Sequence, residues 1–477
     1  MKIQSERLGK EPIPKLLASL SIPAMVGMFV MALYNVVDAI FIARSVGTIG
    51  VAAVSIAFPV QMIVMAIAGA IGIGGASVIS RRLGAGESDE ANHVFGNVIS
   101  IVLIVSGIGV IAALSFIEPL LYAFGASETI LPYARDYLGI ILYGTVFFAF
   151  GFSMNNIIRS EGNAKMAMLT MVISAGLNML LTPLFIFGFG WGIRGAAGAT
   201  VLAQAITAVY LVYYFKSGKS SLTFKPAYLR PNLTILKQIL AIGSSAFVHQ
   251  VAGSIMFVVA NHMLISHGGD LAVAVFGIVH RIIMFTILPM LGIMQGTAPI
   301  VGYNYGAQLY QRVSETIKLA YKVSTLMGLV IFVLVMAFPK LFLLIFTNDT
   351  EVLEMGSTAL RFMFALCMTI GIQMVTGGVF QALGKARAAL ILSMARQVLF
   401  LIPLLFILPP FWGLTGIWLA FPLADLLAFC LALFYLYRYK NLFFNQDQEP
   451  PAGHLQHQGS PADLHKGTVQ KPSVPSA

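Results

Sequence analysis

One acid stands alone in a long apolar stretch near the start of the chain. Residues 34–44 read YNVVDAIFIAR, and the apolar run around Asp38, which begins near Ile13, holds no other acid. Ionisable side chains deep in apolar segments are costly and usually serve a function. Desolvation favours the neutral form of a carboxyl group, and the ionised form is a natural ligand for Na⁺. Asp38 could therefore bind and release H⁺ or Na⁺, unless it is a structural residue that bonds a neighbouring helix or lies at the end of one.

Other oxygen-bearing groups at helical spacing could complete a site with Asp38. Tyr34 lies four residues before the acid and so on the same face of a helix. Neutral oxygen groups of this kind could form a cation or proton network, although small polar residues also bond membrane helices to one another without further function. The candidates are Asn35 beside Tyr34, Asn178 and Thr182 four residues apart, and Ala196, Thr200 and Gln204 on one helical face.

The elements that must position these residues are membrane-spanning helices. Hydrophobic residues make up 58% of the 477-residue chain and charged residues only 10%, whereas soluble domains carry about 25% charged residues. Apolar runs of about 20 residues cross a hydrocarbon core of about 30 Å. They must be helices, because they do not alternate with period two as barrel strands do. The predicted spans cover residues 14–43, 51–79, 94–117, 132–158, 166–188, 195–215, 234–265, 271–300, 316–338, 356–382, 389–408 and 413–437, with Asp38 about midway along the first.

The net charge of +10 predicts topology and not a nucleic-acid partner. Basic residues collect in alternate loops, as the positive-inside rule expects of cytoplasmic segments. We therefore expect a multi-pass protein of the plasma (inner) membrane with both termini in the cytoplasm. The basic residues at the N-terminus and after spans 2, 4, 6, 8, 10 and 12 include Lys2, Arg7, Arg81, Arg82, Arg159, Lys165, Lys216, Arg230, Lys318, Lys385, Arg387 and Arg396.

The chain repeats itself at an offset of about 222 residues. RRLGAG at 81–86 aligns with YNYGAQ at 303–308, and KLLASLSIPAM at 15–25 aligns with KQILAIGSSAF at 237–247. The predicted fold is therefore an all-α integral membrane protein of twelve helices in two homologous six-helix bundles. Because six is even, the repeat is parallel, with a pseudo-two-fold axis along the membrane normal. The predicted divisions are a cytoplasmic N-terminus (1–13), an N-lobe (14–215), a cytoplasmic linker (216–233), a C-lobe (234–440) and a disordered cytoplasmic tail (441–477).

Two parallel repeats are typical of secondary transporters, and no nucleotide site is evident. SGKS at 217–220 lacks the upstream glycine of a P-loop, so an ion gradient must drive uphill transport. An intramembrane enzyme would need convergent His and acid groups, which the spans do not show. In the C-lobe, Asp425 could line the interior, and Arg281, beside the further candidate His280 early in span 8, could bond helix ends between the lobes. His249 is better explained as a hydrogen-bonded helix residue. Asp38 aligns with Ala260, so the ion site is expected in the N-lobe alone.

Five motifs carry a resemblance to a known family. They are Pro23 with YNVVD in the first span, RRLGAG after the second, NNIIRSEGNAKMAM at 155–168, LNMLLTP at 177–183, and PIVGYNYGA at 299–307. Over residues 10 to 440 the chain resembles the multidrug and toxic compound extrusion (MATE) transporters, in particular their bacterial DinF-like branch. The resemblance implies two lobes around a central cavity. It also implies export of amphipathic organic cations against inward H⁺ or Na⁺ by alternating access.

The resemblance also implies roles for individual residues. Asp38 matches the acid that binds the coupling ion, and Pro23 matches a proline at which the first helix bends. Thr182 departs from the many relatives that carry a second acid there, which leaves the coupling ion open. Asn178 and Thr200 match residues that contact the cation, and with Asp38 they would be metal ligands if the ion is Na⁺. Ala196 matches a residue whose backbone carbonyl contributes to the cation site. Tyr34 and Asn155 or Asn156 match the polar residues that surround the site.

The resemblance implies no cofactor besides the coupling ion. The expected partners are small cationic amphipathic molecules and the lipid bilayer, with the protein a monomer. A runner-up of related architecture is a flippase for a lipid-linked saccharide, or another exporter of amphipathic metabolites. A flippase would need several basic residues in its cavity, and Arg281 is nearly the only candidate.

Overall fold

The structure, a computed structural model, describes residues 3–440, and these residues form the predicted all-helical membrane protein. A short helix, Ile3–Lys10, precedes the first span. The predicted tail, 441–477, lies outside the described residues, and the exact lobe boundaries stay a prediction. The spans are Ile13–Val46 (span 1), Thr48–Gly84 (2), Ser88–Ser115 (3), Leu131–Ser160 (4), Ala164–Gly188 (5), Gly192–Lys216 (6), Leu233–Gly306 (7 and 8), Tyr310–Ala337 (9), Thr350–Phe364 with Cys367–Ala382 (10), Ala386–Ile407 (11) and Pro409–Arg438 (12). Short helices Ile117–Ala123 and Pro339–Leu344 connect spans 3 to 4 and 9 to 10.

Spans 7 and 8 form one nearly continuous helical segment of 74 residues. At about 1.5 Å per residue such a segment would be roughly 110 Å long, far more than one membrane crossing of about 30 Å. Gly269 divides it, because its backbone is not helical (φ 65°, ψ −164°). A positive φ of this kind is readily accessible only to glycine. The segment is therefore two spans, which brings the total in the described chain to twelve.

In each lobe five spans enclose an interior. In the N-lobe, span 1 packs against span 5, span 5 against span 6, span 6 against span 4, and span 4 against span 2. The C-lobe repeats this order with spans 7, 11, 12, 10 and 8. The ring of each lobe is therefore closed on one side by two neighbouring spans, 1 and 2 or 7 and 8, that also contact the other lobe.

The two lobes meet at one end through backbone atoms. We call the membrane face that carries residues 3–12 and the inter-lobe segment 217–232 the linker side, and the opposite face the far side. Near the linker side, a Cβ atom on Gly84 would lie 1.9 Å from the carbonyl oxygen of Tyr303, and one on Gly306 would lie 2.0 Å from the carbonyl oxygen of Arg81. Further close contacts on this half of the interface join Gly74 to Ile239, Gly243 to Ala70, Gly296 to Ser21 and Ser77 to Gln381.

The far side of the same interface is open. Span 1 has eight buried residues from Ile13 to Gly27, but beyond Gly27 the buried residue is Ile42. The close contacts of span 1 with the other lobe, Ser21 with Gly296 and Met25 with Gly292, also lie in its linker half. The lobes therefore touch on the linker side and part toward the far side.

The inter-lobe segment is docked on the N-lobe through a buried acid. Glu161, in the turn between spans 4 and 5, is fully buried. Its carboxylate oxygens accept hydrogen bonds from the Tyr214 hydroxyl (2.6 Å), the Ser220 hydroxyl (2.7 Å) and the Ser221 backbone N–H (2.7 Å). Asn92 also holds the segment, because its side-chain oxygen accepts from the backbone N–H of Thr223 at 2.8 Å. The predicted linker is thus a fixed part of the N-lobe surface.

We expect the docking of this segment to depend on pH. Burial raises the pKa of Glu161 from 4.5 to about 7, against the opposing effect of its hydrogen bonds. Because the docked state binds the proton more tightly than an exposed glutamate does, docking is strongest below pH 4.5 and weakens as the pH rises through about 7. Hydrogen exchange of backbone amides in residues 217–232, corrected for intrinsic rates, should therefore be slower at pH 5.5 than at pH 8.

The matched control for this prediction is Glu161→Gln, which keeps the size and the acceptor oxygen of the side chain but does not titrate. Its exchange, after the same correction, should not vary with pH between 5.5 and 8. The same pH profile in the wild type and in the Gln variant would show that another group controls docking.

Candidate functional site

Three spans bring the predicted N-lobe residues to one depth near the far side. Asp38 lies eight residues before the end of span 1 at Val46, Thr182 six before the end of span 5, and Thr200 eight after the start of span 6. At about 1.5 Å per residue, each is roughly 9–12 Å from its helix end. Asp38 is therefore not midway along span 1, because 25 residues of the helix precede it and eight follow it. The site is reached from the far side.

A chain of hydrogen bonds connects the acid to the interior of the N-lobe. The Thr182 hydroxyl lies 3.1 Å from Asp38 Oδ1 and 3.0 Å from Asn178 Oδ1. Asn178 Nδ2 donates to the Thr200 hydroxyl oxygen at 2.9 Å, and the Thr200 hydroxyl donates to the Ala196 carbonyl at 3.0 Å. Asp38 is partly exposed, whereas the other four residues are buried. The predicted grouping of Asp38, Asn178, Thr182, Ala196 and Thr200 thus exists in space.

Thr182 is placed between two acceptors but has one hydrogen. When Asp38 is ionised, it is an acceptor only, and the Thr182 hydrogen can satisfy either Asp38 or Asn178. When Asp38 is protonated, it can donate to the Thr182 oxygen, and Thr182 can then donate to Asn178. In that arrangement every hydrogen bond of the chain runs in one direction, from Asp38 to the carbonyl of Ala196. The site therefore changes its hydrogen-bond direction when a proton binds.

Two tyrosines and a glutamine complete the surroundings of the acid. Tyr34, as predicted, lies near both Asp38 and Thr200. Tyr137 of span 4 is also within electrostatic range of Asp38, and its hydroxyl contacts Gln61 of span 2. Sequence reasoning missed Tyr137 and Gln61, for which the available signal was a polar side chain in an otherwise apolar span.

Other predicted residues lie apart from this group. Asn155 joins spans 4 and 5 by donating to the Ala167 carbonyl (2.8 Å) and the Thr170 hydroxyl (2.9 Å), near the linker side. Asn156 donates to the carbonyl of Phe152 in its own helix at 2.9 Å. Neither residue contacts the hydrogen-bonded chain around Asp38, so their predicted place in its polar shell is not supported by the geometry.

Three further candidates lie on spans 1 and 6 but are not hydrogen-bonded to the group around Asp38. Asn35 is exposed and donates to the Met31 carbonyl of its own helix at 2.8 Å. Gln204 lies in span 6, one turn beyond Thr200, without a hydrogen bond to the described residues of the group. Pro23 is buried within span 1, and the helix runs through it without a break.

In the C-lobe, the structure gives Asp425 a charged partner and gives Arg281 no contact with helix ends. Asp425 is completely buried and forms an ion pair with Arg396, which lies within span 11 and not in the preceding loop. His280 packs against the rings of Phe257 (5.1 Å) and Phe276 (5.8 Å). Arg281 is exposed, and within the described chain it has no ion pair or hydrogen bond, so the predicted link to helix ends is absent. His249 Nδ1 lies 3.4 Å from the Ser393 carbonyl.

Comparisons with known proteins agree with both the fold and its internal repeat. The profile of the MatE family matches residues 23–184 and again residues 246–407, two segments that begin 223 residues apart (246 minus 23). The chain is 28% identical to the multidrug export protein MepA of Staphylococcus haemolyticus (strain JCSC1435) over 427 residues, which cover 90% of this chain and 94% of that protein.

Solved structures extend the similarity to three dimensions. The MATE multidrug transporter DinF-BH, solved as a complex, is 54% identical, has a TM-score of 0.86, and is matched over 93% of this chain and all of its own. An outward-facing multidrug resistance MATE transporter of the MOP superfamily is 30% identical, with a TM-score of 0.86 over 92% of this chain and 98% of its own. The chain is therefore a multi-pass membrane protein of the MatE family.

Proposed function

We propose that the protein is a secondary active transporter that exports amphipathic organic cations in exchange for H⁺, with Asp38 as the proton-binding group. The proposal rests mainly on the directional hydrogen bonds around Asp38, because a single proton satisfies every member of that chain. The names of two relatives, a multidrug export protein and a multidrug transporter, support the substrate class.

The direction of transport is set by the inward gradient of H⁺ across the membrane. In the orientation we propose, the linker side faces the cytoplasm of the cell that carries the protein in its plasma (inner) membrane, with both termini inside. A proton from outside reaches Asp38 and neutralises the carboxylate, which removes the attraction for a bound cation and releases it outward. The lobes then close on the far side and open on the linker side, where Asp38 loses the proton and a new cation binds.

Two residues have supporting roles in this cycle. Pro23 removes a backbone hydrogen bond from span 1 and permits the helix to bend, so that span 1 can follow the change at Asp38. Thr182 transfers the change in protonation to Asn178 and hence to span 6. If Na⁺ were the coupling ion instead, the oxygens of Asp38, Asn178 and Thr200 would be its ligands.

The coupling ion can be tested directly in proteoliposomes loaded with a fluorescent cation such as rhodamine 6G. An imposed H⁺ gradient at equal Na⁺ on both sides should drive dye movement in the direction opposite to the proton. A Na⁺ gradient at equal pH should have no effect beyond the leak of protein-free liposomes. Dye transport driven by Na⁺ at constant pH would reject H⁺ as the coupling ion, and transport by neither gradient would reject the exchange of cations altogether.

A further inference from the structure

The C-lobe interior contains a second polar cluster, built by the same five-span ring as the N-lobe site. Span 11 contributes Arg396 and span 12 contributes Asp425, with Gln373 of span 10 donating to the Asp425 backbone carbonyl at 3.0 Å. His249 of span 7 and His280 of span 8 both lie within electrostatic range of Arg396. Arg396 is ten residues from one end of its span and eleven from the other, so the cluster lies near mid-membrane.

The ion pair has an inner and an outer member. The Asp425 side chain has no exposed surface, whereas 26% of the Arg396 side chain is exposed. Asp425 Oδ1 accepts from Arg396 Nε, and Oδ2 has no hydrogen-bond partner among the described residues. Asp425 therefore fixes the arginine from behind, and the cation is the member that faces the interior.

Most of the hydrogen-bonding capacity of Arg396 is unused. A guanidinium group carries five N–H donors in a planar fork, and within the described residues Nε is the one with an acceptor. The two amino groups are the pair that binds a carboxylate through two parallel hydrogen bonds. A cavity of about 10 Å³, lined by apolar side chains of spans 8 and 10 together with Thr286 and Arg396, has room for about one water molecule. The two amino groups therefore have no acceptor among the described residues and border a small space between spans 8 and 10.

The backbone around Arg396 is also unusual. Ala395–Leu401 forms a π-helical segment inside span 11, and such segments occur frequently at functional sites. The N-lobe also has a π-helical segment, Leu184–Gly188, at the end of span 5, and it begins two residues after Thr182 of the proton-binding group. Each lobe therefore has a π-helical segment close to its charged group, Asp38 with Thr182 in one and Arg396 in the other.

We propose that Arg396 binds the carboxylate, or another anionic oxygen group, of amphipathic substrates, so that zwitterions as well as cations are substrates. Asp425 is a positioning residue that holds Nε and orients the two amino groups toward the ligand. The proposal rests on the proposed function, since it assigns one end of the substrate to the C-lobe while the cationic end is assigned to Asp38.

Two rhodamines that differ in one group test this assignment. Rhodamine 6G is an ethyl ester and a cation, and the corresponding free acid is a zwitterion. Binding of each dye to the purified full-length protein is measured by fluorescence polarisation. In the double variant R396Q/D425N, which replaces the ion pair by a neutral hydrogen-bonded pair, we expect the Kd of the free acid to rise about tenfold or more, as for loss of charge-assisted hydrogen bonds. The Kd of the ester should change little, which also reports that the variant is folded.

Two further variants sharpen the test. R396K keeps the charge but not the fork, and should bind the free acid with an intermediate Kd. R281Q removes an exposed arginine of span 8 and should leave the ratio of the two Kd values unchanged. An unchanged ratio in R396Q/D425N, with the ester still bound, would overturn the role of Arg396 and leave the proposed function standing. Failure of the wild type to bind either dye would overturn the proposed function itself and this inference with it.

Discussion

An Asp38→Asn variant is expected to lose dye export driven by an H⁺ gradient completely, down to the leak of protein-free liposomes. Asn has the shape of a protonated Asp and can still hydrogen-bond Thr182, so the fold should be retained. It cannot, however, change its charge, and the hydrogen bonds around Thr182 stay in one arrangement throughout the cycle. The measurement is the initial rate of rhodamine 6G movement in proteoliposomes with the pH gradient imposed.

The matched control is Asp136→Asn, which removes an acid of the same type on span 4. Asp136 is partly exposed and pairs with Arg194 at 2.9 Å near the far side. Surface pairs of this kind contribute at most about 1 kcal/mol to stability, so the control should export dye at close to the wild-type rate. Gradient-driven export at the wild-type rate by Asp38→Asn would remove Asp38 from the mechanism.

The second large effect is expected at the contact between the lobes. In Gly84→Ala, the new methyl group would lie 1.9 Å from the Tyr303 carbonyl oxygen, and a backbone atom cannot rotate away. Overpacking of this kind costs about 1–3 kcal/mol, which is roughly a 5- to 150-fold change in a two-state equilibrium. The variant should therefore shift the protein from the conformation that is closed on the linker side toward the one that is open there.

Distances between spin labels on the linker side measure this shift. Lys165 and Arg387 are exposed residues that occupy equivalent positions in the two lobes, and labels are attached there after the native Cys367 and Cys430 have been replaced. Gly84→Ala should populate a longer distance between the labels. Gly277→Ala in span 8 is the control, because nothing lies within 4 Å of its Cβ position. An unchanged distance distribution in Gly84→Ala would show that this contact does not control which side is open.

Much of the fold could be predicted because membrane spans are defined by length and composition. The twelve apolar runs and the repeat around Gly84 and Gly306 are local signals, and neither needs knowledge of how the helices pack. The bend of 47° between the two helices of span 10 could not be predicted, because neither Gly nor Pro occurs at residues 364–367 to indicate it.

The N-lobe site could be predicted in part from the sequence. Asp38 is conspicuous because no other acid accompanies it, and Asn178 and Thr182 share a helix face through their spacing. Glu161 could not be recognised, because a charge just past the end of an apolar run looks like an ordinary loop residue, and Arg396, although inside the predicted span 389–408, looks like the last of the basic residues that follow span 10. Their burial depends on the depth at which each helix sits against its neighbours, and a single sequence does not contain that register.

The closure of the two lobes through main-chain atoms has a consequence for how such a protein can change over evolutionary time. Carbonyl oxygens facing Gly84 and Gly306 are supplied by any amino acid at positions 303 and 81. Side chains that line the cleft near the far side can therefore be exchanged without weakening the seal at the opposite face. Selection for new compounds can act on one half of the molecule while the half that keeps the membrane sealed stays as it is.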